Sequence, residues 1–218
     1  MPELACPSCG APVPLRSAAM PYAVCGHCHS VLLREGEGLD LIGKSAVLPF
    51  DVSPIQLGTT GQVDGIAFEV AGRVRWSWVD GSWNEWLLNC RDGQARWLSE
   101  AMGQFMVLAE RPDLLSDPLL TGFAAGEPIR VGDRLGDYSA ADIKQVECLG
   151  GEGDLPFPTP ADWTMTSVDF KSPGGGALSV QRDANGVSAY AGRYVTLPEL
   201  SPRNLRPIEG WSLPATLA

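Results

Sequence analysis

The chain has 218 residues, with 26 acidic against 16 basic side chains and a net charge of −10 at pH 7. An acidic surface repels phosphate backbones and anionic lipid, which disfavours nucleic acid and bare membrane as partners and favours a basic protein or a polycation. The 25 glycines and 18 prolines suit many short strands and turns better than long helices.

The opening MPELACPSCG has neither a basic n-region nor an apolar h-region, so no secretory signal is expected. No run approaches the roughly 20 apolar residues that span a bilayer. The expectation is a soluble, cytoplasmic protein.

Residues 1–38 read as a zinc ribbon. Cys6 and Cys9 form one CxxC pair and Cys25 and Cys28 a second, fifteen residues further on. A two-residue gap lets both thiolates of a tight turn face one metal, and two such turns close a tetrahedral site. Gly10 fits the turn position that favours positive φ. A pair of disulfides is the alternative, and it suits a cytoplasmic chain poorly. Four thiolates leave no open coordination position, so the expected Zn2+ is structural. His27 and His29, the only histidines, are expected to be exposed ribbon residues. Arg16 and Arg34 are outnumbered by Glu3, Glu35, Glu37 and Asp40, which favours an architectural or protein-binding ribbon over one that binds nucleic acid. Glu35–Gly38 reads as a flexible linker.

Residues 44–111 read as a first β domain, a barrel or sandwich of five or six strands. Val47–Phe50 is expected to be a short strand. Ile66, Phe68, Val70, Val74, Trp76 and Trp78 share one parity and predict one apolar face of a strand. Asp80-Gly81 and Asp92-Gly93 supply hairpin turns. Ser99–Met102 is expected to make one helical turn, with Phe105 and Val107 returning as a strand. Residues 112–125, rich in leucine and bracketed by proline, read as a docked linker.

Residues 126–205 read as a second small antiparallel domain whose glycine-spaced entry repeats that of the first, as a duplicated unit would. The stretch from Gly150 to Pro160 reads as a loop. Val168 and Phe170 fall in one strand and Leu178 and Val180 in the next, with Asn185-Gly186 as a hairpin turn before Val187–Val195. Residues 206–218 read as a tail anchored by Trp211. Cys90 and Cys148 stand alone in strand-like runs, as small buried hydrophobes do.

A binding surface is expected at Trp83, Glu85, Trp86, Glu100 and Glu152. Trp83 and Trp86 have opposite parity, so one of them should face outward. Glu85 and Glu100 could flank a cleft as acid and base; the plainer reading is rim charges on a β surface. Glu152 and Asp154 lack the ligand spacing of a calcium loop. Both histidines sit in the ribbon, and no GxSxG, HExxH or Rossmann fingerprint occurs. No catalytic residue is assigned.

The blocks GxxxxxxGIAFEVAGRVRW, GSWNEWLL, RDGQARWLSEAMGQF, VGDRL and GGEGDLPF resemble the bacterial family of domains of unknown function numbered 4178 over residues 4–205. Ser139, Ala140 and Ala141 depart from its pattern, which leaves the strand register there open. The resemblance implies no activity and no catalytic residues. It implies a setting near membrane-remodelling stress proteins, small membrane proteins and spermidine-synthase-like proteins. The leading expectation is a non-enzymatic binding or adaptor protein with a protein partner, tied to membrane stress or polyamine biology. The alternatives are an enzyme acting on a small cationic or sugar substrate through acidic residues, and a nucleic-acid-binding ribbon.

Overall fold

The alternating run that opens at Ile66 becomes the long strand β7 (Ile66–Trp78), and the turns on either side of it set the strands of the first half. The computed structural model describes residues 3–36, 38–116, 128–131, 136–160 and 162–210. Before β7 come β1 (Glu3–Ala5), β2 (Pro12–Pro14), β3 (Tyr22–Val24), β4 (Ser30–Glu35), β5 (Gly38–Lys44) and β6 (Thr60–Val63). After it follow β8 (Gly81–Cys90), β9 (Ala95–Ala101) and β10 (Gln104–Glu110). The second half supplies β11 (Pro128–Val131), β12 (Gly136–Leu155), β13 (Thr164–Lys171), β14 (Gly176–Asp183) and β15 (Gly186–Val195). The protein is thus mainly β, and every strand pairing is antiparallel.

The two halves have the same internal order: β6 to β10 is one meander and β11 to β15 another. They are joined into a single sheet at two places. β10 pairs with β15, and β7 pairs with β12. The order β7-β8-β9-β10-β15-β14-β13-β12 therefore returns to β7 as a closed ring. Closure through these two pairings leaves β6 and β11 outside the ring.

The second junction depends on glycine. Gly72 and Gly153 are register partners. A Cβ on Gly72 would sit 1.9 Å from the Asp154 carbonyl oxygen, and one on Gly153 would sit 2.3 Å from that of Ala71. The stretch from Gly150 to Leu155, expected as a loop, is instead the end of β12. Its glycines serve close backbone approach.

Four apolar cores result among the described residues, one of them, with Val13, Leu15 and Leu32, inside the cysteine module. Val74, Trp76, Trp83, Leu87, Val146 and Met165, from β7, β8, β12 and β13, fill the barrel together with Trp97 of β9. Outside it, Phe68, Val70, Trp86 and Leu88 pack under Ile55 and Leu200. On the other flank, Tyr138, Phe170, Leu178 and Val180 pack with Leu114. The register shift between Val70 and Gly72 explains a departure from the single apolar face expected of β7. One extra residue flips the parity, so Phe68 and Val70 point out of the ring while Val74 and Trp76 point in. A second shift, between Ala140 and Asp142, falls on the Ser139–Ala141 segment that departs from the family pattern.

Other local expectations change too. Ser99–Ala101 lies in β9, and Met102-Gly103 makes a turn with positive φ at both residues (51° and 78°), as tight hairpins require. Val47–Phe50 is not a strand, and Phe50 is 82% exposed. Glu35–Gly38 is the β4–β5 hairpin and not a linker, with Glu37 outside the described residues. Of the linker, Pro112–Ser116 forms a short 3-10 helix, while 117–127 lies outside the described residues, as do 132–135 and Trp211. No helix among the described residues is long and apolar enough to cross a membrane.

Candidate functional site

Two CxxC turns build the candidate metal centre, each just beyond a strand. Cys6 follows β1 and Cys25 follows β3. The turns share one hydrogen-bond pattern: Gly10 N donates to Cys6 O at 2.8 Å and His29 N to Cys25 O at 2.9 Å. Cys6 N donates to Ala11 O and Cys25 N to Ser30 O, at 2.8 and 2.9 Å. Gly10 and His29, at matching positions, both have positive φ (73° and 57°). His29 is therefore a turn residue here. The Sγ atoms of Cys6, Cys9, Cys25 and Cys28 all lie within 4.8 Å of one another. Cys6 and Cys28 Sγ are 3.7 Å apart, and Cys9 and Cys25 Sγ 3.8 Å. A tetrahedron with metal–sulfur bonds of about 2.3 Å has edges of about 3.8 Å, so the donor set fits a single ion. The Ser30 hydroxyl lies 3.2 Å from Cys28 Sγ, and with the Ser30 amide it lowers the pKa of the Cys28 thiol. Against the Ala11 amide, desolvation and the neighbouring thiols raise that of Cys9, as four crowded thiols sharing protons do. The four thiols could thus hold one metal ion.

This module is fastened to the ring. β3 pairs with the end of β12 through Gly153–Val24, Asp154–Ala23 and Leu155–Tyr22. The Asp154 carboxylate, 1% exposed, accepts hydrogen bonds from the Arg16 and Ser17 amides, the latter at 2.6 Å. Burial raises its pKa, against the pull of those two amides.

The barrel interior carries a second polar centre. Glu85 lies on the inward parity of β8 between Trp83 and Leu87. Its carboxylate accepts bonds from Trp76 Nε1 (3.1 Å), Trp83 Nε1 (3.3 Å) and Gln181 Nε2 (3.1 Å). Gln181 belongs to β14, which lies four strands from β8 in either direction round the ring, so this bond spans the lumen. Glu85 is half-buried. Burial pushes Glu85 up to about 7; three donors oppose the shift and nearby Asp169 adds to it.

Glu100 is placed apart from Glu85. Strand register sets Glu85 opposite Ser99 and Asn84 opposite Glu100, so the two carboxylates emerge on opposite faces of the sheet. They are not an acid–base pair across a cleft. Glu100 Oε2, outside the ring, accepts from Ser53 Oγ (2.6 Å), Trp86 Nε1 (2.9 Å) and Asn84 Nδ2 (3.2 Å). Beside it, Asp51 binds Arg73, Arg75 and Arg206. Arg73 also donates to Asn84 Oδ1 at 2.8 and 3.0 Å, contacts Glu152 at 3.4 Å, and lies 4.8 Å from the centroid of the Trp86 ring. Three guanidinium groups thus face Asp51, Glu100 and Glu152, and their charges balance.

The surface expected at Trp83, Glu85, Trp86, Glu100 and Glu152 is not one surface. The two tryptophans do take opposite faces, yet Trp83 is 9% and Trp86 1% exposed. Neither faces outward, because the outer face of β8 is covered by Ile55, Leu57, Leu197 and Leu205, residues distant in sequence. Glu152 remains half-exposed beside Arg73. Sequence reasoning missed Asp51, Arg75 and Arg206. Arg73 and Arg75 share one parity of β7, and that is the signal the sequence holds for them.

Fold and site define a class: a closed antiparallel β barrel with a four-cysteine module hydrogen-bonded to its edge. A family model, Domain of unknown function (DUF4178), matches residues 56–197. That is the barrel from β6 to β15, and the chain belongs to this family. The four cysteines lie outside the matched residues. No curated protein and no solved structure matches the chain.

Proposed function

We propose that this protein is a non-enzymatic binding or adaptor protein, in which a structural zinc ion holds the four-cysteine module and the barrel presents a partner-binding end. The supporting observation is an apolar crest. Val79, in the β7–β8 turn, is 94% exposed and Met102, in the β9–β10 turn, is 92% exposed. Phe50 belongs to the same end, because Arg75 donates to Pro49 O at 2.6 Å and to Ser82 Oγ at 2.9 Å. Ser82 pairs with Ser77 beside the turn that carries Val79. Isolated apolar side chains are ordinary on a surface, but three at one end of a barrel mark a contact region. With a net charge of −10, the fitting partner is a protein whose apolar patch is ringed by lysine and arginine. The resemblance points to partners of the membrane-stress kind. The catalytic alternative loses support because Glu85 and Glu100 are separated and each is held by three donors.

The test is capture of a defined partner from the native host by wild type, by Phe50→Asp with Met102→Asp, and by Cys25→Ser with Cys28→Ser. Loss of the partner with the crest variant and its retention with the cysteine variant is the expected result. Retention with the crest variant would remove the basis of the reading.

A further inference from the structure

A cavity of about 370 Å3 opens at the end of the barrel marked by the β14–β15 turn, away from the Val79 and Met102 turns. Its walls are aromatic. Trp97 and Phe157 are stacked with centroids 5.8 Å apart at 15°, and Phe157 meets Trp163 edge-on at 5.1 Å. Trp163 in turn meets Trp76 inside the barrel at 4.8 Å. Tyr190 completes the lining.

The polar side chains at this mouth include two acids and one base, with Gln181, Asn185, Ser188 and Tyr190 beside them. Glu110 and Asp183 line it, and Gln181, also in the wall, bonds Glu85 behind it. Asp183 is fixed by Trp163 Nε1 at 2.7 Å and by the Asn185 amide at 2.7 Å. These donors hold its carboxyl below the usual range despite burial, so it is ionised at neutral pH. Tyr190 reports the local field. Burial, followed by the charges of Glu85, Glu110 and Asp183, pushes its phenol up to about 12. Arg182 also borders the cavity, but it is exposed and on the parity of Leu178 and Val180, which points out of the barrel.

Ring faces are the negative part of an aromatic quadrupole, and they attract cations most strongly where water is excluded. A cavity of this size suits a small molecule. Glu110 and Asp183 attract a cation to the mouth and repel an anion.

We propose that the mouth is a binding site for a small organic cation of the alkylammonium or quaternary ammonium class, seated among Trp97, Phe157, Trp163 and Tyr190 with Glu110 and Asp183 as counter-ions. The site is separate from the apolar crest at the other end, so it stands or falls without the adaptor reading.

The experiment is a tryptophan-fluorescence titration of the full chain with choline and with its neutral carbon isostere, 3,3-dimethyl-1-butanol. It is run on wild type, on Glu110→Gln at the mouth, and on Asp40→Asn, which makes the same charge change on exposed β5. Near-ultraviolet circular dichroism confirms that each is folded. The expected result is saturable binding of choline, at least tenfold weaker binding of the isostere, at least threefold weakening in Glu110→Gln, and no change in Asp40→Asn. Absence of saturable binding to folded wild type would overturn the proposal. Equal binding of the isostere, or equal effects of the two substitutions, would overturn it too.

Discussion

Glu85 ties stability to pH in a direction that can be worked out from its surroundings. Its carboxyl rises from an ordinary 4.5 to about 7 in the folded barrel, chiefly through burial. Between those values the folded chain binds a proton that the unfolded chain has released. Unfolding free energy therefore falls as pH rises through this window and levels off above it. Below 4.5 both states are protonated and the full contribution is present. At 1.36 kcal/mol per pH unit, the loss across the window is about 3 kcal/mol. The assay is urea unfolding followed by tryptophan emission at pH 5, 6, 7 and 8, for wild type and Glu85→Gln. Glutamine keeps the shape without titrating, although it alters the bonds to the Trp76 and Trp83 indoles. Its constant offset is immaterial, because only the change in the wild-type–variant difference matters. Asp154 is also raised by burial, but both proteins retain it and its effect cancels. Asp169, likewise raised by burial, is coupled to Glu85 by charge, so its response to that charge belongs to the measured difference. The variant should gain about 2.5 kcal/mol relative to wild type between pH 5 and pH 8, since pH 5 already lies inside the window. Parallel profiles would refute the placement of a titrating carboxylate inside the ring.

Three further outcomes are expected. Gly72→Ala drives a methyl into the Asp154 carbonyl and should cost about 3 kcal/mol or more in urea unfolding, whereas Gly43→Ala, with open space around it, should stay within about 0.5 kcal/mol. Glu100→Ala strands the Ser53, Asn84 and Trp86 donors and should lower stability by at least about 2 kcal/mol, measured the same way. Metal analysis should find one zinc per chain in wild type and none in Cys25→Ser with Cys28→Ser. Hydrogen exchange in that variant should show lost protection at the Gly10, Cys25 and His29 amides, with β8 and β14 unchanged.

The legible parts of the fold were those fixed by neighbours in sequence. The CxxC spacing specifies the thiol cluster, since each turn is built from five consecutive residues. Asp92-Gly93 and Asn185-Gly186 specify hairpins because positive φ is a local demand, met here by both glycines. Closure of the ring was hidden because the residues that permit it look like a loop. Gly150, Gly151 and Gly153 lack the apolar alternation of a strand, and the reason becomes visible only when Gly72 is placed against Gly153. The bulge after Val70 was hidden for a related cause: parity continues through it in sequence while the faces exchange in space. Trp83 and Trp86 illustrate the consequence. Opposite parity ordinarily sends one side chain to solvent, but a ring has an inside, and its outside is roofed by residues near 55 and 200.

The separation of Glu85 from Glu100 follows from the same geometry. In an open, one-sided sheet, a carboxylate on the buried face would be costly and one on the solvent face unremarkable. In a closed ring with covered flanks both faces are protein, so each acid must find donors of its own. Glu100 recruits Ser53 from outside the ring and its neighbours Asn84 and Trp86, and becomes a fastener for the segment that roofs the outer core. Glu85 finds two indoles and an amide from the opposite strand, and becomes a tie across the lumen. Tryptophan is placed at all three indole positions because a large apolar body with one N–H can fill a core and still satisfy a buried acid. Trp76, Trp83 and Trp86 are then explained by the carboxylates they serve, whereas Trp97 stacks on Phe157 beside Trp163 at the cavity of the barrel mouth.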